Sequence, residues 1–150
     1  MKIAVTTDEL YPIHHFVLAW LKQYGHEPIL FGALKSNQEE SWVKAASEAA
    51  QAIKKGKCDE GVFFCWTGTG ISLAANKLPG IRAALCTDAE TARGARIWNH
   101  ANVLALSNRL LSQDIAKEIL TAWFADFDSL KGAKGVADLI AFEHSQTIGS

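Results

Sequence analysis

Short, continuously apolar runs alternate with helical patterns along this chain, and this alternation narrows the fold more than any other feature. Five runs predict β-strands, at residues 2–6, 28–32, 61–65, 81–86 and 102–107. Strands that are apolar on both faces are typical of a parallel sheet covered by helices on either side. Because crossovers between parallel strands are right-handed, the sequence predicts a doubly wound α/β sandwich with about five strands.

Helical spacing fills the segments between these strands. Thr87 and Glu90 have the spacing of a capping box, which predicts a helix from there to about Trp98. A last helix is expected at about residues 135–145. We therefore interpret residues 1–150 as a single domain, with helices that begin near Pro12, residue 41, Thr87, Ser112 and residue 135.

Net charge, the lengths of the apolar segments and the cysteine count limit the binding partners and cellular locations expected for this protein. The formal net charge of -1 argues against a nucleic-acid or membrane-surface protein, because either partner usually requires a basic excess. The apolar run at the N-terminus is too short for a signal peptide, and no segment approaches the roughly 18–20 apolar residues that cross a bilayer. Three irregularly spaced cysteines are not typical of a disulfide framework, so we expect a cytoplasmic protein. His14, His15 and His26 show no metal-ligand spacing.

Polar side chains follow several of the predicted strands. Asp8, Cys65, Thr87 and Asn108 all lie at or just beyond a strand's carboxyl end. Ligands of doubly wound sheets bind in the crevice outside those ends. The segment that begins at Cys65 is therefore the candidate site.

A glycine-containing turn, Thr67-Gly68-Thr69-Gly70, follows Cys65 directly. Glycines at these positions allow close approach of the backbone to a ligand, and a helix starting near Ile71 would direct its free N–H groups toward an anion. The same environment favours a thiolate at Cys65, which can act as a nucleophile or a base, while Thr67 and the turn amides stabilise an oxyanion. In the alternative interpretation, Cys65 is a small buried hydrophobe and the glycines only reverse the chain.

Two nucleotide-binding motifs fit this turn poorly. Gly68 and Gly70 begin the dinucleotide pattern, and Asp88 lies at a suitable distance, but Leu73 occupies the third glycine position. A dinucleotide-dependent oxidoreductase is therefore a distant alternative. The P-loop requires Gly-Lys-Ser/Thr, which does not follow these glycines, so a P-loop is excluded.

The stretch "CWTGTGISLAANKLPGIRAALC" (65–86), together with "WNHANVLALSNRL" (98–110), resembles the ribose-5-phosphate isomerase B / galactose-6-phosphate isomerase family. The likeness extends over nearly the whole chain. It implies a Rossmann-like three-layer sandwich with a five-stranded parallel sheet, and a homodimer or homotetramer with shared active sites in which the C-terminal helix packs on a partner subunit. It also implies aldose–ketose isomerisation of a phosphorylated sugar without metal or cofactor.

The resemblance assigns roles by position. Cys65 matches the base that moves a proton between adjacent sugar carbons. Thr67 and the amides of 68–70 match the anion hole for the enediolate, with Thr69 inside that turn. Asp8 matches the aspartate that holds sugar hydroxyls. Asn99 matches an asparagine that contacts the substrate, and Arg109 matches an arginine that binds the phosphate.

The sequence departs from the family pattern at several of these positions. Glu9 follows Asp8 where the family commonly has histidine, and Trp66 follows Cys65 in place of glycine. Trp98 occupies the position of the ring-opening histidine. The C-terminal arginines that bind phosphate are replaced by a region that contains Lys131 and Lys134, which we assign to the phosphate of a site in a partner subunit. The alternative is that both lysines are solvated surface charges.

Because of these departures, the family pattern does not identify which side chains of this chain open the sugar ring and transfer protons. His100 lies two residues from Trp98 and is the candidate for ring opening, and Glu9 is a second acid/base candidate if it is buried. The alternative for His100 is a solvated loop residue. Trp66 and Trp98 are assigned to sugar contact, with simple packing as the alternative.

The leading hypothesis is a cytoplasmic isomerase that acts through a cis-enediolate with Cys65 as base. Ribose 5-phosphate to ribulose 5-phosphate, a reaction of the pentose phosphate pathway, is the default because it is the family's commonest reaction. Loss of the ring-opening histidine favours a different or open-chain sugar, such as a tetrose phosphate. A non-catalytic sugar-phosphate-binding module on the same fold is the alternative from another class.

Overall fold

The computed structural model describes residues 1–147, which form a five-stranded parallel sheet in the order β2-β1-β3-β5-β4. This confirms the predicted fold class. The order reverses direction between β1 and β3, as in other doubly wound sheets. The strands are β1 (Lys2–Thr7), β2 (Glu27–Gly32), β3 (Glu60–Cys65), β4 (Ala83–Leu85) and β5 (Val103–Ser107).

Helices cover both faces of the sheet, which gives the three layers that the sequence predicts. Helices α1, α5 and α6 pack on one face, and α3 and α4 pack on the other. None of the helices within residues 1–147 is both long and apolar enough to cross a bilayer. The helices are α1 (Ile13–Gln23), α2 (Ala33–Ser36), α3 (Trp42–Lys54), α4 (Thr69–Ala75), α5 (Ala89–Asn99), α6 (Gln113–Trp123) and α7 (Ala133–Thr147).

Side chains of the central strand alternate between the two apolar layers. Val62 and Phe64 pack under α1 and α6, whereas Phe63 and Cys65 point to the side of α3 and α4. All four are at most 5% exposed. Continuous burial of β3 on both faces explains its continuous apolar sequence.

The edge strand β4 is shorter than the predicted strand at 81–86. The side chain of Asn76 donates to the carbonyl of Ala83 (2.9 Å) and accepts from its N–H (2.7 Å). The N–H of Arg82 donates to the side chain of Asn102 at 2.8 Å. Side chains therefore satisfy backbone groups at the start of this edge strand, which no further strand of the sheet covers.

Side-chain caps fix the starts of α3, α5 and α6, and the Ser41 hydroxyl, which caps α3, accepts from the N–H of Val43 at 3.1 Å. The hydroxyl of Ser112 accepts from the N–H of Ile115 at 3.1 Å, as predicted for α6. The predicted capping box at Thr87 was wrong by one residue. Asp88 is the N-cap of α5, and its carboxylate accepts from the N–H of Thr91 at 2.7 Å. A carboxylate there also interacts favourably with the helix dipole.

Chain direction decides where the ends of α5 lie. The helix begins beyond the carboxyl end of β4 and returns antiparallel to the strands, so Asn99 lies beside the amino ends of β4 and β5. The guanidinium Nε of Arg82 donates to the carbonyls of Asn99 (3.2 Å) and His100 (3.0 Å). Both residues are therefore fixed at the amino edge of the sheet.

A half-buried cluster centred on Glu60 ties β3 to α5 and α6. Its carboxylate accepts from the indole N–H of Trp123 (3.0 Å) and pairs with the guanidinium of Arg96 (2.9 Å). The Arg96 guanidinium also lies over the rings of Trp123 and Phe127, at 4.9 and 5.0 Å from their centroids. Both charged side chains are only 13% exposed, so their pairing is poorly screened by solvent.

Replacing Glu60 by alanine is expected to lower the free energy of unfolding by about 3 kcal/mol, because Arg96 is left without its carboxylate in a poorly hydrated site. The control is Glu48→Ala, which removes the exposed pair with Lys44 and should cost less than about 0.5 kcal/mol. Urea unfolding followed by circular dichroism measures both. Equal effects would contradict the role given to this cluster.

Candidate active site at the carboxyl edge of the sheet

The turn Thr67–Gly70 joins β3 to α4 and requires glycine at two points. Gly68 has φ +77°, and a Cβ there would lie 2.5 Å from Cδ1 of Leu85 and 3.0 Å from the carbonyl carbon of Leu106. At Gly70 a Cβ would lie 3.1 Å from the indole of Trp42, which covers this part of the turn. Helix α4 begins at Thr69, two residues before the predicted start.

Cys65 ends β3 directly before this turn. Its side chain is 5% exposed and lies in the apolar cluster that includes Ile71 and Ala105. Burial of this degree agrees with the packing interpretation of the thiol, whereas its position at the carboxyl edge agrees with the catalytic one. Burial raises the pKa of the Cys86 thiol to about 12, so that cysteine stays protonated near neutral pH.

The backbone after Cys65 is held by the end of β5. The carbonyl of Cys65 accepts from the N–H of Asn108 at 2.9 Å. The carbonyl of Trp66 accepts from the N–H of Arg109 (3.2 Å) and the hydroxyl of Ser107 (3.0 Å). These bonds place Arg109 on the same edge of the sheet as Cys65.

Two hydroxyl groups line the turn itself. The side-chain oxygens of Thr67 and Thr69 lie 2.6 Å apart and share a hydrogen bond. Because one hydroxyl donates to the other, the second hydroxyl keeps a free proton for a further acceptor. The turn thus carries a hydroxyl donor beside its backbone amides.

Acidic side chains follow β1 on the same edge, where Glu9 is exposed and not buried. Asp8 has a carboxylate oxygen that is buried and has no hydrogen-bond partner within the described part of the chain. Burial raises the pKa of Asp8, and the neighbouring charge of Glu9 raises it further. Partial desolvation and a hydrogen bond to the Glu9 carboxylate likewise raise the pKa of Tyr11. Asp8 is therefore an acceptor suited to a hydroxyl group.

Exposed aromatic rings border the turn on two sides. Trp66 is 51% exposed, and its ring centroid lies 5.6 Å from that of Tyr11. Trp42 is 43% exposed over Gly70. Rings in these positions give the turn an apolar border, while the sugar contact assigned to Trp66 stays a prediction.

The remaining predicted residues lie at the opposite edge of the same chain. Trp98 and Asn99 end α5 at the amino ends of the strands. His100 caps that helix with φ +44°, and its Nε2 lies 3.0 Å from the carbonyl oxygen of Ser129. A strand of five or six residues spans roughly 16–20 Å, so within one chain these side chains do not reach Cys65.

The C-terminal lysines lie near this second group. Lys134 is exposed and pairs with Asp138 at 3.0 Å on α7, and Lys131 is an exposed residue of the preceding loop. A cavity of about 640 Å³ between α7 and this edge is lined partly by Asn99 and Phe142. The cavity therefore belongs to the amino edge and not to the Cys65 turn.

Sequence reasoning missed a buried polar pair on the Cys65 side. His14, given no role above, is 2% exposed, and its Nε2 lies 2.8 Å from the side-chain oxygen of Asn108. A sequence signal for its burial exists, since His14, Val17 and Leu21 follow the i, i+3, i+7 spacing of one helix face. Among residues 1–147, no three histidine, cysteine or acidic side chains come together as a metal site.

Comparison with known proteins agrees with this geometry. A model of the ribose/galactose isomerase family matches residues 3–139. Ribose-5-phosphate isomerase B of Escherichia coli (strain K12) is 35% identical over 144 residues, which cover 95% of this chain and 96% of that protein. D-erythrulose-4-phosphate isomerase of Pectobacterium atrosepticum is 33% identical over 148 residues, or 97% of each chain. The solved structure of Clostridium thermocellum ribose-5-phosphate isomerase B has a TM-score of 0.89 at 38% identity, covering 97% of this chain and 99% of that one.

The fold, the glycine turn and these relatives together define an isomerase of sugar phosphates. The match with each of these three relatives covers at least 95% of both chains. The chain belongs to the ribose/galactose isomerase family. The resemblance seen in the sequence is thereby confirmed.

The packing at Gly68 yields a stability prediction with a matched control. Gly68→Ala and Gly80→Ala both place a side chain at positive φ, which costs about 1–2 kcal/mol, but only Gly68 has neighbours within 4 Å of the added carbon. We expect Gly68→Ala to lower the free energy of unfolding by a further 1–3 kcal/mol or so. Chemical denaturation of both variants measures the difference, and indistinguishable values would contradict the packing described for the turn.

Proposed function

We propose that this protein interconverts an aldose phosphate and a ketose phosphate through a cis-enediolate, with Cys65 as the base. The observation that carries the proposal is the position of Cys65, which ends the central strand beside the turn of residues 67–70. Proton abstraction next to a carbonyl needs a base together with stabilisation of the oxygen that becomes negative. The carboxyl edge supplies candidates for both.

In the proposed reaction the Cys65 thiolate removes the proton from C2 of the open-chain aldose. The electrons of that C–H bond form the C1–C2 double bond, and the carbonyl oxygen gains the negative charge. The free hydroxyl proton of the Thr67–Thr69 pair and the turn amides stabilise this oxygen. The thiol then returns the proton to C1.

To complete the isomerisation, a second proton must move from the hydroxyl oxygen on C2 to the oxygen on C1. We assign that transfer to Glu9, because its carboxylate follows Asp8 at the edge of the sheet. Asp8 accepts a sugar hydroxyl on its unpartnered oxygen, which holds C1 and C2 in place. Arg109, on the same edge, binds the phosphate.

We propose further that a second copy of the chain completes each site. Trp98, Asn99 and His100 lie at the amino edge, so they reach a Cys65 turn only from another subunit. Lys131 and Lys134 accompany them and would add positive charge for the phosphate. Helix α7 exposes Leu139, Ile140 and Phe142 on the same side, an apolar surface typical of contact between subunits. A homodimer or homotetramer, located in the cytoplasm, is expected.

Two substrates are consistent with this proposal. Ribose 5-phosphate is the default, in line with the name of the Escherichia coli relative. A four-carbon sugar phosphate, as in the name of the Pectobacterium relative, is favoured by one observation. The ring-opening position holds Trp98, and His100 is engaged by the Ser129 carbonyl. A tetrose phosphorylated on O4 has no hydroxyl that can close a five-membered ring, so it needs no ring-opening acid.

The decisive experiment follows the carbon-bound proton of each sugar by NMR in D2O, with aldose and ketose phosphates of four to six carbons. We expect deuterium to enter one of them, with Cys65→Ala lowering turnover at least about 1000-fold while circular dichroism stays unchanged. Cys58→Ala is the control, because Cys58 is equally buried at the far end of the same apolar cluster.

Each contrary outcome has a clear meaning. Turnover within tenfold of wild type in Cys65→Ala would remove this residue from the mechanism. Exchange on a sugar other than ribose 5-phosphate would replace the default substrate. Absence of exchange on every sugar, with binding retained, would favour a sugar-phosphate-binding module instead.

A further inference from the structure

A buried histidine–asparagine pair lies behind the Cys65 turn. His14 on α1 is 2% exposed, and Asn108 after β5 is 8% exposed. The imidazole lies against the ring of Phe64, the residue before Cys65, with 4.5 Å between centroids. Two polar side chains this deeply buried each carry a desolvation cost that only their hydrogen bonds offset.

The hydrogen bonds define one state of the imidazole. Its Nδ1 accepts from the N–H of Tyr11 at 3.2 Å, so Nδ1 carries no proton. The proton is therefore on Nε2, which donates to the Asn108 side-chain oxygen at 2.8 Å. Burial lowers the pKa of His14, although the bond to Asn108 acts in the opposite direction, and a lowered pKa favours this neutral form.

The same asparagine holds the backbone at Cys65. Its N–H donates to the Cys65 carbonyl at 2.9 Å, so the side chain of Asn108 binds α1 and its main chain binds the end of β3. The side-chain nitrogen is buried and has no hydrogen-bond partner among residues 1–147. A buried donor without a partner lowers stability, so packing alone does not explain an asparagine at position 108.

We propose that His14 and Asn108 are positioning residues that hold the Cys65–Trp66 segment in place for proton transfer. The backbone N–H of Tyr11 binds the His14 imidazole, and the imidazole binds the side-chain oxygen of Asn108. The backbone N–H of Asn108 in turn binds the Cys65 carbonyl. Proton transfer depends steeply on the placement of the base, so loosening this link lowers the rate of chemistry and not substrate affinity. This inference rests on the proposed isomerase function.

The test compares variants of His14 on the sugar phosphate that the exchange experiment identifies. His14→Phe fills the space without either hydrogen bond, and we expect kcat to fall about tenfold or more with KM within about twofold. His14→Gln keeps a donor near the Nε2 position and should recover most of the lost kcat. His15→Gln, at the exposed neighbour, should leave both constants unchanged.

Two further variants test whether the pair acts as a unit. Asn108→Ala and the double variant with His14→Phe should both resemble His14→Phe alone, because removing either member breaks the same link. Additive losses in the double variant would contradict the proposal. So would a loss confined to KM, or equal kcat values for His14→Phe and His14→Gln.

A readout without substrate separates this inference from the proposed function. Mass spectrometry follows iodoacetamide labelling of each cysteine in the wild type and in His14→Phe. We expect labelling of Cys65 to accelerate at least about fivefold, because a loosened segment exposes the sulfur more often, with Cys58 unchanged. Equal acceleration at both cysteines, or none at either, would overturn the positioning role even if no sugar were turned over.

Discussion

The direction of the parallel strands is the constraint on which the rest of this structure depends. Every strand ends on the same edge of the sheet, and every helix that links two strands returns to the other edge. Cys65 and Asp8 therefore share one edge, while Asn99 at the end of α5 lies on the other. The proposed site, which uses both groups, would therefore have to draw them from two chains.

Packing at the carboxyl edge stabilises the fold and, in the proposed reaction, would also hold the reacting groups in place. Cys65 packs in the apolar layer under α3 and α4, and it ends β3 at the carboxyl edge of the sheet. The turn after it excludes side chains at Gly68, because Leu85 and Leu106 leave no space for a Cβ. Tight packing of this kind lets the backbone amides keep one geometry, which oxyanion stabilisation requires.

Local sequence patterns predicted the elements well, and spatial relations poorly. Continuous apolar runs identified all five strands, and the glycines after Cys65 identified the turn. The shorter extent of β4 was not foreseen, since a run of apolar residues does not show that Asn76 and Asn102 bind backbone groups at its start. The N-cap of α5 was misplaced by one residue because both Thr87 and Asp88 can serve as caps.

The candidate site shows the same limit. Motif positions supplied the candidate residues, and the order of strands and helices places Asn99, at the end of α5, on the opposite edge from Cys65, at the end of β3. His14 was overlooked because a single histidine on a helix face carries no motif, and its partner Asn108 is 94 residues away. The family and the isomerase class followed from the long match around Cys65, whereas the sugar depends on pocket residues where this chain differs from the pattern.

The proposal that each active site uses residues from two chains is tested most directly by mixing two inactive variants. Cys65→Ala chains and Asn99→Ala chains are prepared separately, unfolded and refolded together, and isomerase turnover is compared with either variant refolded alone. If each site draws on two chains, half the dimers are mixed and each holds one intact site, so about a quarter of wild-type activity should return. A mixture no more active than its components, or full activity in Asn99→Ala alone, would contradict this account.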